Sequence, residues 1–168
     1  MSSIALCLVF PFLIAYAAAS DLLTMLIPNR VTGLVALAFG LFAMGAGLGL
    51  AEIGLHVAAG LATLVVTFTL FSLGYVGGGD AKLAAATALW LGLDHLADYL
   101  LASTLLGGAL TLAILVARAH PMPNFTVRLP FAVRLHDAKT GIPYGIALSA
   151  AALVVLPTTD LWARLSLA

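Results

Sequence analysis

Two aspartates, Asp21 and Asp80, are the residues of this sequence whose type and setting best suit chemistry. Asp21 stands in the string Ala19-Ser20-Asp21-Leu22-Leu23-Thr24-Met25-Leu26-Ile27-Pro28-Asn29-Arg30, and Asp80 follows three glycines in Gly77-Gly78-Gly79-Asp80-Ala81-Lys82-Leu83. Two carboxylates sharing a confined site cannot both ionise easily, so one keeps its proton while the other stays charged. The charged member can hold a water as general base while the protonated member polarises a peptide carbonyl, and the roles exchange as the tetrahedral intermediate collapses. The glycine run permits irregular backbone and close approach of a substrate segment. The residues alone leave three uses open: paired catalysis, proton or ion translocation, and a structural aspartate at headgroup level.

The elements that must carry this pair follow from composition. Of 168 residues, 63% are hydrophobic and 8% charged, with seven basic residues against seven acidic. A soluble surface needs about a quarter of the chain charged, so a water-exposed fold is excluded, and the balanced charge offers no footprint for nucleic acid. The single cysteine, Cys7, excludes an internal disulfide framework and a four-cysteine metal site. A bilayer is the expected solvent. The Leu, Ala and Gly tracts lack the alternation of barrel strands and suit helices. The expected fold is therefore all-α and polytopic, a single membrane domain over residues 1–168.

Reading between charges gives about six spans, each of roughly 20 apolar residues. They run from about Ser3 to Ser20, Val31 to Leu50, Ile53 to Leu73, Leu83 to Leu93 (short, with room to extend from Gly78 to Leu96), Leu100 to Ala117 and Ile142 to Leu156. Gly33, Gly40, Gly45, Gly47, Gly49, Gly54 and Gly60 are expected to be positions where the second and third spans pack closely. The start Met1-Ser2-Ser3 lacks the positive region of a secretory signal, so the first span is expected to remain an integral helix.

With the N-terminus outside, Arg30, Lys82, Arg118, Arg128, Arg134 and Lys139 fall on one face and Arg164 alone on the other, the bias expected of a cytoplasmic side. Two complete spans separate Asp21 from Asp80, so both carboxylates return to that face. Residues 119–141 form the largest cytoplasmic loop. Pro121, Pro123 and Pro130 discourage a continuous helix there, while Phe125, Leu129 and Phe131 suit contact with the interface. Arg118, Arg128, Arg134 and Lys139 are expected to orient the chain and meet anionic lipid.

Smaller expectations attach to the neighbours. Lys82 anchors the positive face or tunes the site, and Pro28 and Asn29 shape the turn into the second span. Tyr144 either lines the site through its hydroxyl or belts the interface, and Trp90 marks interfacial depth or packs inside. His95 and Asp98, with Asp94 adjacent, read as a solvated helix end rather than a cation site, and His136-Asp137 has no serine nucleophile beside it.

At its two aspartate strings the sequence resembles the type IV prepilin peptidases, best the short CpaA/TadV-like branch associated with Flp-type pili. The GxGD motif of that family, which also resembles that of presenilin-type proteases, stands here as Gly77-Gly78-Gly79-Asp80. The first-aspartate region stands as Asp21 through Pro28-Asn29-Arg30, and Ile142-Pro143-Tyr144-Gly145-Ile146-Ala147 resembles the segment that opens the last span. The resemblance implies that Asp21 and Asp80 are catalytic aspartates of an endopeptidase in the bacterial inner membrane. It also implies that Gly77, Gly78, Gly79, Lys82, Pro28, Asn29 and Tyr144 shape the site. The implied reaction cuts the short basic leader of a prepilin or pseudopilin on the cytoplasmic side, after a glycine, for the pilus assembly and secretion machinery, with no metal or other cofactor. The paired cysteines of the long, methylating members have no counterpart here, so no intrinsic methyltransferase activity is expected. A small ion or solute transporter and a non-catalytic membrane assembly factor are the rival readings.

Overall fold

Each apolar tract folds as a helix. The computed structural model describes residues 2–123 and 126–166, which leaves Phe125 outside the described residues. Its helices are α1 (Ser2–Thr24), α2 (Asn29–Gly45), α3 (Leu50–Ser72), α4 (Gly78–Leu91), α5 (Leu96–Arg118), α6 (Pro130–His136), α7 (Gly145–Val155) and α8 (Asp160–Ser166). Short 3-10 turns, Thr126–Arg128 and Leu156–Thr158, complete the ordered elements, and no strand occurs among the described residues. The architecture is all-α. Two helices, α3 and α5, are long and apolar enough to cross a membrane, and Leu8–Thr24, Asn29–Gly45 and Gly145–Thr158 are shorter apolar helices.

The distribution of polarity is inverted relative to a water-soluble fold. Leu61, Val65 and Phe68 on α3 and Leu101, Leu105 and Leu112 on α5 are all exposed, while Asp21, Thr63, Thr87, Ser103 and Ser149 are buried. Exposed apolar faces of this extent call for a partner other than water, and lipid is the partner that fits two long apolar helices.

The inner helices are α4 and α7. Helix α4 packs on α2, α3 and α7, and α7 packs on α1, α4 and α5. Both are rich in buried alanine: Ala81, Ala84, Ala85, Ala86 and Ala88 in α4, and Ala147, Ala151 and Ala152 in α7. Small side chains let backbones approach and gain dispersion contacts, the main attraction left between helices when the solvent is itself apolar. At the far end of α4 from Asp80, Trp90 fills the bundle against Phe10, Phe42 and Phe39, with ring centroids 4.7, 5.2 and 6.0 Å away. Its indole N–H donates to the Val35 carbonyl at 2.9 Å. Of the two roles open for Trp90, core packing is the observed one.

Two sequence expectations do not hold. Among the glycines of α2, α3 and their connection, only Gly60 is a close-packing position: a Cβ there would lie 2.7 Å from the Leu89 side chain. Added carbons at Gly33, Gly40, Gly45, Gly47 and Gly54 would meet nothing within 4 Å, and one at Gly49 only Glu52 Oε2 at 3.8 Å. Glycine abundance does not say which face of a helix a glycine occupies, and most of these face outward. The basic residues near the 119–141 segment are also not all free for lipid. Arg118 donates to the carbonyls of Leu135 at 2.7 Å, Thr140 at 2.9 Å and Gly141 at 3.3 Å, and Arg134 donates to Leu23 O at 2.6 Å. These two guanidinium groups fasten the segment to the ends of α5 and α1. Pro130 opens α6 as its first residue, the position where its missing N–H costs nothing.

Candidate active site

Asp21 sits in the last turn of α1, and the chain beyond it is tied by local hydroxyls. Thr24 Oγ donates to Ser20 O at 2.7 Å, Ser20 Oγ donates to Leu26 O at 2.8 Å, and the Leu26 N–H donates to Thr24 Oγ at 3.2 Å. Met25 takes a left-handed conformation, φ 58°, and its N–H closes on Asp21 O at 2.8 Å, ending the helix. Pro28 then holds Ile27 away from helical backbone, and α2 restarts at Asn29. Pro28 thus stands as the extended residue before α2 and Asn29 as its first residue. Asn29 has a second contact, because its Oδ1 accepts from Lys82 Nζ at 2.9 Å, joining the two aspartate-bearing segments on their exposed side.

Asp80 lies in the first turn of α4, where a carboxylate is favoured by the helix dipole. The glycine run before it is less irregular than expected. Gly74, at φ 81°, caps α3, with the Tyr75 N–H donating to Leu70 O and the Gly74 N–H to Phe71 O, both at 2.9 Å. Gly77 is the extended residue before α4, and Gly78 and Gly79 already belong to the helix. Close approach is still required there, but by the protein itself: a Cβ on Gly77 would lie 2.9 Å from Asp80 Oδ2, one on Gly78 3.1 Å from the Phe71 ring, and one on Gly79 3.1 Å from Ile27 Cβ.

Ile27 is the residue the sequence reading missed. It is buried, and it sits against Gly79 on α4 and against Gly145 at the start of α7, where an added Cβ would be 2.8 Å from its Cδ1. It thus packs between the segments that carry the two acids. Its one sequence signal is its place immediately before Pro28, at a position fixed as extended.

The two acids differ in setting. Asp21 is 5% exposed, and its Oδ2 accepts the backbone N–H of Gly145 at 2.8 Å, a contact between positions 124 apart in the chain. Asp80 is half-buried and faces a cavity of about 440 Å³ whose walls include Thr67, Ala84, Ser103, Tyr144 and Leu148. The segments of the two acids are joined through Ile27, which lies against Gly79 beside Asp80 and against Gly145, whose N–H bonds Asp21. Tyr144 lies on this cavity and not in an outer belt, with its hydroxyl donating to Ser103 O at 3.0 Å. The structure gathers Asp80, Gly77 and Tyr144 on one cavity, with Asp21 bonded to Gly145 next to Tyr144, whereas the paired Lys82 and Asn29 line a different cavity.

The other constellations stand apart. His95 Nδ1 and Asp98 Oδ2 are 3.9 Å apart at the start of α5, beside a different cavity that includes Glu52 and Arg164. Asp137 accepts the Lys139 N–H at 2.9 Å, which explains it as a turn residue. Among the described residues, no group of three His, Cys, Asp or Glu side chains is arranged to hold a metal ion.

Comparison with known proteins adds one positive finding. No curated protein and no solved structure matches the chain. The model of the type IV leader peptidase family matches residues 8–112, a stretch that runs from within α1 to within α5 and contains Asp21, the glycine run and Asp80. With that match across most of its length, the chain belongs to the type IV leader peptidase family.

Proposed function

We propose that the protein is an aspartic endopeptidase of the bacterial inner membrane that removes the basic leader of Flp-like type IV prepilins or pseudopilins. On this reading the chain is a single membrane domain crossing about six times, with residues 119–141 and the aspartates on the cytoplasmic side. The cut falls after a glycine, and the trimmed pilin passes to the pilus assembly machinery. What supports the reading is that Asp21 and Asp80, on helices separated by two others, belong to segments joined through Ile27, which packs against Gly79 beside Asp80 and against Gly145, whose N–H bonds Asp21, and that both aspartates lie in the stretch matched by a peptidase family.

The chemistry follows from the two settings. On this reading water and the substrate peptide reach Asp80 through the cavity it faces, whereas Asp21 is buried with one carboxylate oxygen bonded by Gly145. A water held between the acids gives a proton to the charged carboxylate and attacks the peptide carbonyl, whose oxygen takes a hydrogen bond from the protonated one. Collapse of the tetrahedral intermediate returns a proton to the leaving amine. Apolar walls keep bulk water from the reacting atoms. Trp90 packed against three phenylalanines in the core beyond Asp80 disfavours a polar translocation path along α4.

Purified full-length protein in detergent, mixed with a Flp-type prepilin and assayed for the new N-terminus, tests the proposal. Cleavage after glycine is expected with the wild type and its loss with Asp21→Asn and with Asp80→Asn, each variant still inserted and folded. Wild-type rates from either variant refute the assignment.

A further inference from the structure

We propose that α5 positions the catalytic Asp21 through Tyr144, and that Gly107 is the residue that permits it; the inference rests on the aspartic peptidase reading. Asp21 and α5 have no direct hydrogen bond. The connection runs through the residues that open α7. Tyr144 lays its ring on Gly107, a buried residue of α5, so closely that a Cβ on Gly107 would collide with ring atoms Cε2 and Cζ and with the hydroxyl oxygen. The collision is with a planar ring whose hydroxyl is itself fixed, donating to Ser103 O one turn earlier on α5 at 3.0 Å. The half-buried ring can move aside only by breaking that hydrogen bond. The next residue is Gly145, whose N–H donates to Asp21 Oδ2 at 2.8 Å. Gly145 has no slack either, because a Cβ on it would lie 2.8 Å from both Asp21 Oδ2 and Ile27 Cδ1.

The consequence is a short mechanical chain. Seating of the Tyr144 ring in the notch at Gly107 sets the backbone of residues 144 and 145, and that backbone sets the direction of one Asp21 oxygen. The packing of α5 on α7, together with that of α7 on α1, makes the chain continuous from the outer helix to the carboxylate. Gly108 gives the internal contrast: it is the adjacent glycine on the same helix, yet it is exposed and an added Cβ there would meet nothing within 4 Å. Only the glycine under the tyrosine ring is constrained. Gly107 and Tyr144 are thus positioning residues, acting on the reaction through Gly145 and Asp21.

The test is a double-mutant cycle on the full-length protein in detergent, reading kcat and KM for prepilin cleavage alongside thermal unfolding. Gly107→Ala should lower kcat by on the order of a hundredfold, the scale expected when a reacting group is misplaced by about an ångström, with KM changed less than threefold. Gly108→Ala should leave both constants unchanged. Tyr144→Ala should lower kcat similarly, and adding Gly107→Ala to it should cost little more, because the ring that clashed is gone. Tyr144→Phe keeps the ring in its notch and loses only one hydrogen bond, so about a threefold to tenfold loss is expected. Wild-type kcat in Gly107→Ala, or a Gly107→Ala effect that persists in full on the Tyr144→Ala background, overturns the proposal. Should Gly107→Ala not fold, Tyr144→Ala decides, and an unchanged kcat there overturns it equally. Asp21→Asn run in parallel separates the two levels: if it cleaves normally the peptidase assignment fails, and if it is inactive while Gly107→Ala is normal only the positioning proposal fails.

Discussion

Replacing Gly145 by alanine perturbs the backbone hydrogen bond that the Asp21 carboxylate accepts. The added methyl carbon would sit 2.8 Å from Asp21 Oδ2 and 2.8 Å from Ile27 Cδ1. Ordinary contacts of such atoms begin near 3.5 Å, so the α7 backbone and the carboxylate must part by at least ~0.5 Å. Neither neighbour can yield cheaply. Ile27 is buried between α4 and α7, and Asp21 belongs to a helix end held by Ser20, Thr24 and Met25. Parting weakens the 2.8 Å bond from Gly145 N–H, and a buried hydrogen bond to a charged acceptor contributes about 1.5–3 kcal/mol. If the bond orients Asp21 in the transition state, that loss converts to roughly a tenfold to hundredfold fall in kcat.

The fold pays a related penalty, because overpacking a filled site costs about 1–3 kcal/mol. Rate and stability therefore need separate readouts: initial cleavage rates over a range of prepilin concentrations, and thermal unfolding in the same detergent. Gly141→Ala is the matched control, since its added carbon meets only Met25 Cε at an ordinary 3.9 Å. The expected result is a large kcat loss for Gly145→Ala and almost none for Gly141→Ala. Equal rates for the two variants, or a Gly145→Ala loss fully restored by lowering the temperature below its unfolding range, would refute the argument that this bond sets Asp21.

Arg118→Ala removes the guanidinium that caps the carbonyls of Leu135, Thr140 and Gly141, so limited proteolysis should cut within residues 119–141 several-fold faster, and unaltered cleavage kinetics would count against the fastening role. Trp90→Ala empties the space against Phe10, Phe39 and Phe42 and should cost about 3–5 kcal/mol in stability, read as a lower unfolding temperature, whereas Trp90→Phe should cost clearly less.

How much of this was legible in the sequence depends on what kind of contact is involved. The all-α character followed from composition and the length of the apolar tracts, and Asp21 and Asp80 stood out because charge is so scarce. Parity of spans was enough to expect them on one side. Contacts that depend on helix rotation were not legible. Seven glycines in and between α2 and α3 looked alike, yet only Gly60 meets a neighbouring helix closely, because residue type does not fix the face presented. Arg118 read as a positive anchor by sign alone, and its carbonyl partners are created only when residues 135–141 fold back over α5. The bond from Gly145 to Asp21 was hidden more deeply still. It uses a backbone N–H, which every residue but proline possesses, across 124 positions.

The two acids are not equivalent. In a bundle with lipid outside, a carboxylate must find its partners inside the protein or in a water-filled recess. Asp21 takes the first solution: α7 turns its opening N–H toward it, and both glycines that make this possible, Gly145 beside the acid and Gly107 under the tyrosine, lack side chains where a Cβ would not fit. Asp80 takes the second, at a helix start beside a cavity partly lined by hydroxyl-bearing residues. On the proposed reading, the acid with a fixed oxygen is the reference point and the acid at the cavity is the one a peptide reaches. On that same reading the division of labour arises from packing: α5 and α7 hold the Asp21 carboxylate, and substrate entering beside α4 meets Asp80 first.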